Sequence, residues 1–164
     1  VAGKVNVTLR VTNLGLTAAP MTLDVAPQSP GLSTLDGTGA GQGAFINADG
    51  RTNSVDSPAE PGSLVQIEVT GLGVTEPAND SQVVTETQQR PVPTARVTAT
   101  VGGRQCELVQ ASGRAGQAGA ILLLRLRIPI DAEPGDAVPV VLDVEGISSQ
   151  TVTLAIRNSS PPEE

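Results

Sequence analysis

The run Ala120–Ile130, AILLLRLRIPI, constrains this chain more than any other stretch. Leu122, Leu124, Leu126 and Ile128 share one face at period two. Ile121 and Leu123 open the other face, which turns polar at Arg125 and Arg127. That pattern describes a strand with one face wholly in a core and the other half covered. Pro129 closes it, because proline cannot continue a ladder of amide donors. The remaining apolar segments read as further strands gathered around this one.

The same alternation recurs. Val5, Val7, Leu9 and Val11 alternate with Asn6, Thr8, Arg10 and Thr12. Met21, Leu23 and Val25 follow after the loop at 13–20, giving a hairpin with one apolar face. Near the C-terminus Val138, Val140, Leu142 and Val144 alternate, Gly146-Ile147-Ser148-Ser149 turns, and Val152, Leu154 and Ile156 return. Both copies begin just after a glycine, Gly3 or Gly135, and read as an internal repeat. The first lacks the strands that should precede it. A lone hairpin is marginal in water, so it must pack on the following domain or on another chain.

Between the copies, Ala26–Gly43 is rich in proline and then glycine and reads as a linker with a flexible turn. Ala48-Asp49-Gly50 is a tight turn between short strands. Val65, Ile67 and Val69 form a strand. Residues 74–93 read as a long surface loop with an edge strand at Val83-Val84. Gly102-Gly103 turns Val97–Val101 back on itself, so that Ala99 faces Cys106 and Val97 faces Leu108. Ser112–Gly119 and Asp131–Asp136 read as loops. The expected fold is an all-β, Ig-like antiparallel sandwich over residues 31–158. A hairpin and linker from an incomplete Ig-like module (1–30) precede it, and a disordered tail (159–164) follows. The opening VAGKVNVT already lies inside a strand pattern, as in a mature or truncated product, and no signal peptide is visible.

Composition excludes much chemistry. The chain of 164 residues holds no His, Trp or Tyr, and Phe45 is its one aromatic. Without histidine there is no Ser-His-Asp or Cys-His pair and no imidazole ligand. Without aromatics there is no platform for bases or sugar rings. A formal charge of −7 opposes binding to nucleic acid or an anionic membrane. No run reaches the ~20 apolar residues of a membrane span. The reading is therefore of a protein that is not an enzyme and holds no cofactor.

Candidate chemistry is sparse. Asp36–Gly43 (DGTGAGQG) contains G-x-G-x-G, but a phosphate cradle needs a helix after it and none follows. Asn47, Asp49, Asn53 and Asp56 offer hard oxygens, which makes Asp49, Asn53 and Asp56 calcium candidates, although EF-hand spacing is absent. The loop carrying Asp131, Glu133 and Asp136 is a second acidic cluster. Cys106 falls on a core face. Asn6, Asn79 and Asn158 each begin an N-x-S/T triplet.

Five segments, in order, carry a family resemblance: GQGAFINADGRTNS (Gly41–Ser54), PGSLVQIEVTGLGV (Pro61–Val74), VTATVGG (Val97–Gly103), LRLRIP (Leu124–Pro129) and PGDAVPVVLDVEGISSQTVTLAI (Pro134–Ile156). Together they resemble the Solibacter-type uncharacterised C-terminal domain of acidobacterial secreted or surface proteins. In that family an Ig-like half precedes the hairpin that resembles Val5–Val25. GLGV and VQAS here replace family segments that carry aromatics. The resemblance implies a bacterial extracellular or cell-surface sandwich module and transfers no site residue.

The residues expected to mediate assembly are Val5, Val7, Leu9, Val11, Met21, Leu23 and Val25. Their partners would be copies of the chain, as a homo-oligomer or filament joined by strand pairing, or adjacent domains of the parent protein. The alternative is a carbohydrate- or ligand-binding accessory module of a larger secreted protein, by analogy of fold.

Overall fold

The computed structural model describes residues 3–78 and 83–158. Among these residues, fifteen strands make up the secondary structure. They are β1 (Asn6–Leu9), β2 (Thr12–Asn13), β3 (Leu16–Thr17), β4 (Met21–Asp24), β5 (Gly31–Leu32), β6 (Ile46–Asn47), β7 (Leu64–Thr70), β8 (Thr75–Glu76), β9 (Val92–Pro93), β10 (Val97–Val101), β11 (Arg104–Gly113), β12 (Leu122–Arg127), β13 (Gly135–Val144), β14 (Ile147–Ser148) and β15 (Val152–Ile156). The protein is all-β, and its antiparallel sheets are consistent with a sandwich.

The run Ala120–Ile130 supplies β12, flanked by β7 and β11. Leu124, Leu126 and Ile128 are fully buried and Leu122 nearly so. Ile121 and Leu123 are half-buried, whereas Arg125 and Arg127 face water. Arg127 reaches Glu107 on the neighbouring strand at 2.8 Å. The two periodic faces therefore fall as expected.

β11 ties the two halves of the sandwich together. Its first three residues pair with β10, in a register that sets Ala99 opposite Cys106. From Glu107 onward it pairs with β12. The register slips between Leu108 and Gln110, leaving Val109 as an extra, exposed residue. Such a bulge bends a strand and lets it change partners. β13 does similar work on the other side: Val140–Val144 pair with β10, while Gly135–Val140 pair with β15. The inward faces of β7, β10, β12, β13 and β15 meet in one apolar cluster that includes Phe45, Val101, Leu142 and Leu154. Cys106 lies in it, and burial pushes its thiol up to about 11 from an ordinary 9.0. It packs as a small protonated apolar residue.

Three expectations need correction. The stretch 26–43 is not a flexible linker. Pro30 is buried, Gly31 and Leu32 form β5 against Thr70 and Val69, and Leu35 and Gln42 hold the glycine-rich turn closed by a backbone bond of 3.0 Å. At its start, the Ser29 amide donates to the Gly71 carbonyl at 2.9 Å. Gly71 has φ +73°, and a Cβ there would sit 1.8 Å from the Ser29 carbonyl oxygen, so only glycine fits. Second, Val83-Val84 is not an edge strand. Val83 makes one bridge to Ala118, Val84 is buried, and the ladder in that region is β8 with β9. Third, Ser112 and Gly113 extend β11 and pair with Leu123 and Leu122 instead of beginning a loop. The expected tail at 159–164 and the Asn79 triplet lie outside the described residues.

Candidate functional site

Of the three residues expected to bind calcium, Asp49 and Asn53 already have a side-chain oxygen bonded within the protein. The turn at Ala48-Asp49-Gly50 forms as expected, with Gly50 at φ +82° and the Asn47 amide donating to the Arg51 carbonyl at 2.8 Å. Asp49 caps it by accepting from the Arg51 amide at 2.9 Å. Asp56 is exposed.

Asn53, in contrast, is wholly buried and fully bonded. Its Oδ1 accepts from the Ala155 amide at 2.8 Å and from Gln42 Nε2 at 2.9 Å. Its Nδ2 donates to the Ala155 carbonyl at 2.9 Å and to Asn47 Oδ1 at 3.0 Å. Both groups of the side chain are spent on β15. On either side, backbone bonds join Gly43 to Thr153 and Ala59 to Ala155, both at 2.9 Å. The carboxamide thus stands in for one residue of a strand along the edge of β15. Nothing in local sequence marks this role, because Ala155 is far away in the chain.

In the second acidic loop, Asp131 is paired with Arg104 at 2.7 Å, and Glu133 and Asp136 are exposed. Among the described residues, no three of His, Cys, Asp and Glu cluster as metal ligands. The Asp36–Gly43 turn is held from within: Asp36 accepts from the Thr38 amide at 3.0 Å and its hydroxyl at 2.9 Å, which holds the carboxyl below its usual value. A cleft of about 510 Å³ lies over β10, lined by Arg96, Thr98, Gln105, Asp143 and Glu145 among others. Its walls carry polar side chains and no aromatic ring.

The N-terminal hairpin is the feature that stands apart. β1 pairs with β4, setting Val7 opposite Leu23 and Leu9 opposite Met21. β2 and β3 extend it to a tip at Leu14-Gly15, both at positive φ (50° and 79°). These angles make the tight turn that suits the twist of a hairpin. The expected assembly residues do share one face, but that face is bare. Leu9 is 47% exposed and Met21 58%. Val5, Val11 and Leu23 are also exposed, while Val7 and Val25 are half-buried. Among the described residues, the apolar core begins at Leu32.

The C-terminal hairpin shows the same construction with its face covered. Its tip, Glu145-Gly146, again has two positive φ values (52° and 86°). A constant offset along the chain carries Leu9 onto Val140 and Met21 onto Val152, which are paired; it also carries Val7 onto Val138 and Leu23 onto Leu154, likewise paired. The bond from the Ala18 amide to the Val11 carbonyl becomes that from Ser149 to Leu142, 2.9 and 2.8 Å. In this copy Val140 is 1% exposed and Val152 is fully buried. The repeat read from sequence therefore extends to register, turn geometry and hydrogen bonding.

Comparison with family models, with curated proteins and with solved structures finds no match.

Proposed function

We propose that the protein is a non-catalytic structural module of the bacterial cell exterior. It joins neighbouring sandwich modules, whether copies of itself or adjacent domains of its parent protein, through the N-terminal hairpin. The observation that carries this reading is the bare apolar face of Leu9, Met21 and Leu23, set beside a second hairpin that matches it in register from Val138 onward and whose face is buried. Burial of apolar area contributes about 25 cal/mol per Å², so such a face gains stability from any partner that completes it. The resemblance to acidobacterial surface proteins supports the extracellular setting. A head-to-tail contact repeated between copies would propagate as a surface filament.

The test is the size of the particle in solution. Light scattering over a range of concentrations is compared for the full chain and for a chain beginning at Pro27. Self-assembly predicts that mass grows with concentration in the first and not in the second. Equal monomer masses at every concentration would rule out assembly between copies. The alternative, a carbohydrate-binding accessory module, draws on the polar cleft over β10. A glycan array showing specific binding that is lost in Gln105→Ala would favour it.

A further inference from the structure

We infer that the N-terminal hairpin is a two-fold dimer contact, in which its apolar face packs on the same face of a second copy, the two hairpins running in opposite directions. This rests on the assembly reading above. It commits that reading to a second copy of the chain and to a closed pair.

The first support is where bare apolar surface lies. Of the fifteen exposed large hydrophobic residues described, seven fall between Val5 and Leu23, and the other eight are spread from Leu35 to Ile147. A second copy therefore offers one concentrated apolar surface, and that surface is the same hairpin. A patch that meets itself closes about a two-fold axis. The second support is area. At roughly 100 Å² apiece, the seven approach the ~800 Å² per partner that a standard interface buries.

The third support is charge. Around a two-fold axis a residue lies near its own copy, so a charge on the contact face would meet its like, at a cost of several kcal/mol in general. Odd positions 5–11 and 21–25 carry no charge. Lys4, Arg10 and Asp24 hold alternate positions, on the reverse face. Asn13 stands where Val144 is buried in the C-terminal copy. Near the hairpin tip it falls at the rim of the contact, where a polar side chain keeps its water.

The rest of the molecule shows how a face of this design is closed. Val138–Val144 and Val152–Ile156 share one apolar cluster with Val65, Ile67 and Leu124 of β7 and β12. Packing of one layer on another covers such a face, at a separation of about 10 Å. Edge-to-edge pairing of two hairpins leaves the face in water, and Pro20, just ahead of β4, has no amide to offer. Opposite orientation follows from size. Each body joins its hairpin at the base, where the Ser29 amide bonds to Gly71. Bodies about 30 Å across cannot sit side by side on layers about 10 Å apart. Reversed, each tip, with Leu14 almost wholly exposed, lies over the base of its partner near Val5.

Light scattering over a range of concentrations tests the contact in the full chain. The mass is expected to rise from one chain to two and stop. Leu9→Glu and Leu9→Lys should each weaken the pair about a hundredfold, because each sets a charge beside its like. Mixed in equal amounts, the two should recover about tenfold, since opposite charges then meet. That recovery also shows that neither variant has simply unfolded the hairpin. Thr8→Glu, on the reverse face, should stay within about threefold of the native chain. A pair untouched by Leu9→Glu, no recovery on mixing, or equal weakening by Thr8→Glu overturns the face-to-face contact. A mass that climbs past two chains, and falls to one without residues 1–26, keeps the assembly reading and overturns the closed pair. Monomer at every concentration overturns this inference and self-assembly together, leaving only the joining of adjacent domains.

Discussion

Replacing Asn53 with alanine is expected to cost about 2–5 kcal/mol, enough to lower the melting temperature by about 10 °C. The size follows from what is left behind. The Ala155 amide loses its acceptor at a position with no exposed surface, and Asn47 Oδ1 loses its donor. Each buried polar group stranded in this way costs roughly 1–3 kcal/mol. The edge of β15 also loses the side chain that bridges the gap between its two backbone contacts. Asn53→Asp separates bonding from volume. The shape is kept, but a second carboxylate oxygen then faces Asn47 Oδ1 and the Ala155 carbonyl, two acceptors. It should be at least as damaging as alanine at neutral pH. Thermal unfolding followed by far-ultraviolet circular dichroism measures both. A loss below 1 kcal/mol in both variants would mean that the segment around Asn53 is dispensable to the sheet.

Leu124→Ala is expected to cost about 3–5 kcal/mol, because it empties a fully buried site in the strand that both halves of the core pack around. The same truncation at Leu9, chemically identical, should cost under about 0.5 kcal/mol in the isolated chain, since Leu9 is already half in water. Urea unfolding of the two variants gives the comparison. Equal losses would show that the hairpin is folded into the body in solution, which would remove the need for a partner.

Much of this fold was legible in residue order because its information is local. The period-two faces of β12, the Ala99–Cys106 register across Gly102-Gly103 and the Asp49-Gly50 turn each depend on neighbours within a few residues. What residue order does not show depends on distant partners. Gly31-Leu32 is too short to show a period and lies between proline and glycine, yet it is a strand because β7 has an edge to offer. The bulge at Val109 leaves no mark in the alternation, and it is needed because β11 must serve two partners. Asn53 read as a possible ligand because its chemistry was visible and its burial was not. The N-terminal hairpin divides the same way. Its pairing and its kinship with the C-terminal copy follow from pattern, whereas the exposure of its face comes only from the coordinates.

One hairpin of this design is closed into the sandwich, while the other keeps its apolar face exposed. Residue-resolved hydrogen exchange on dilute, monomeric protein tests it most directly. The amides of Val7, Leu9 and Leu23 should exchange close to the rate of an unprotected chain, while those of Val138, Val140 and Leu154 exchange only through global unfolding. Equal protection at the two sets in the monomer would contradict the account.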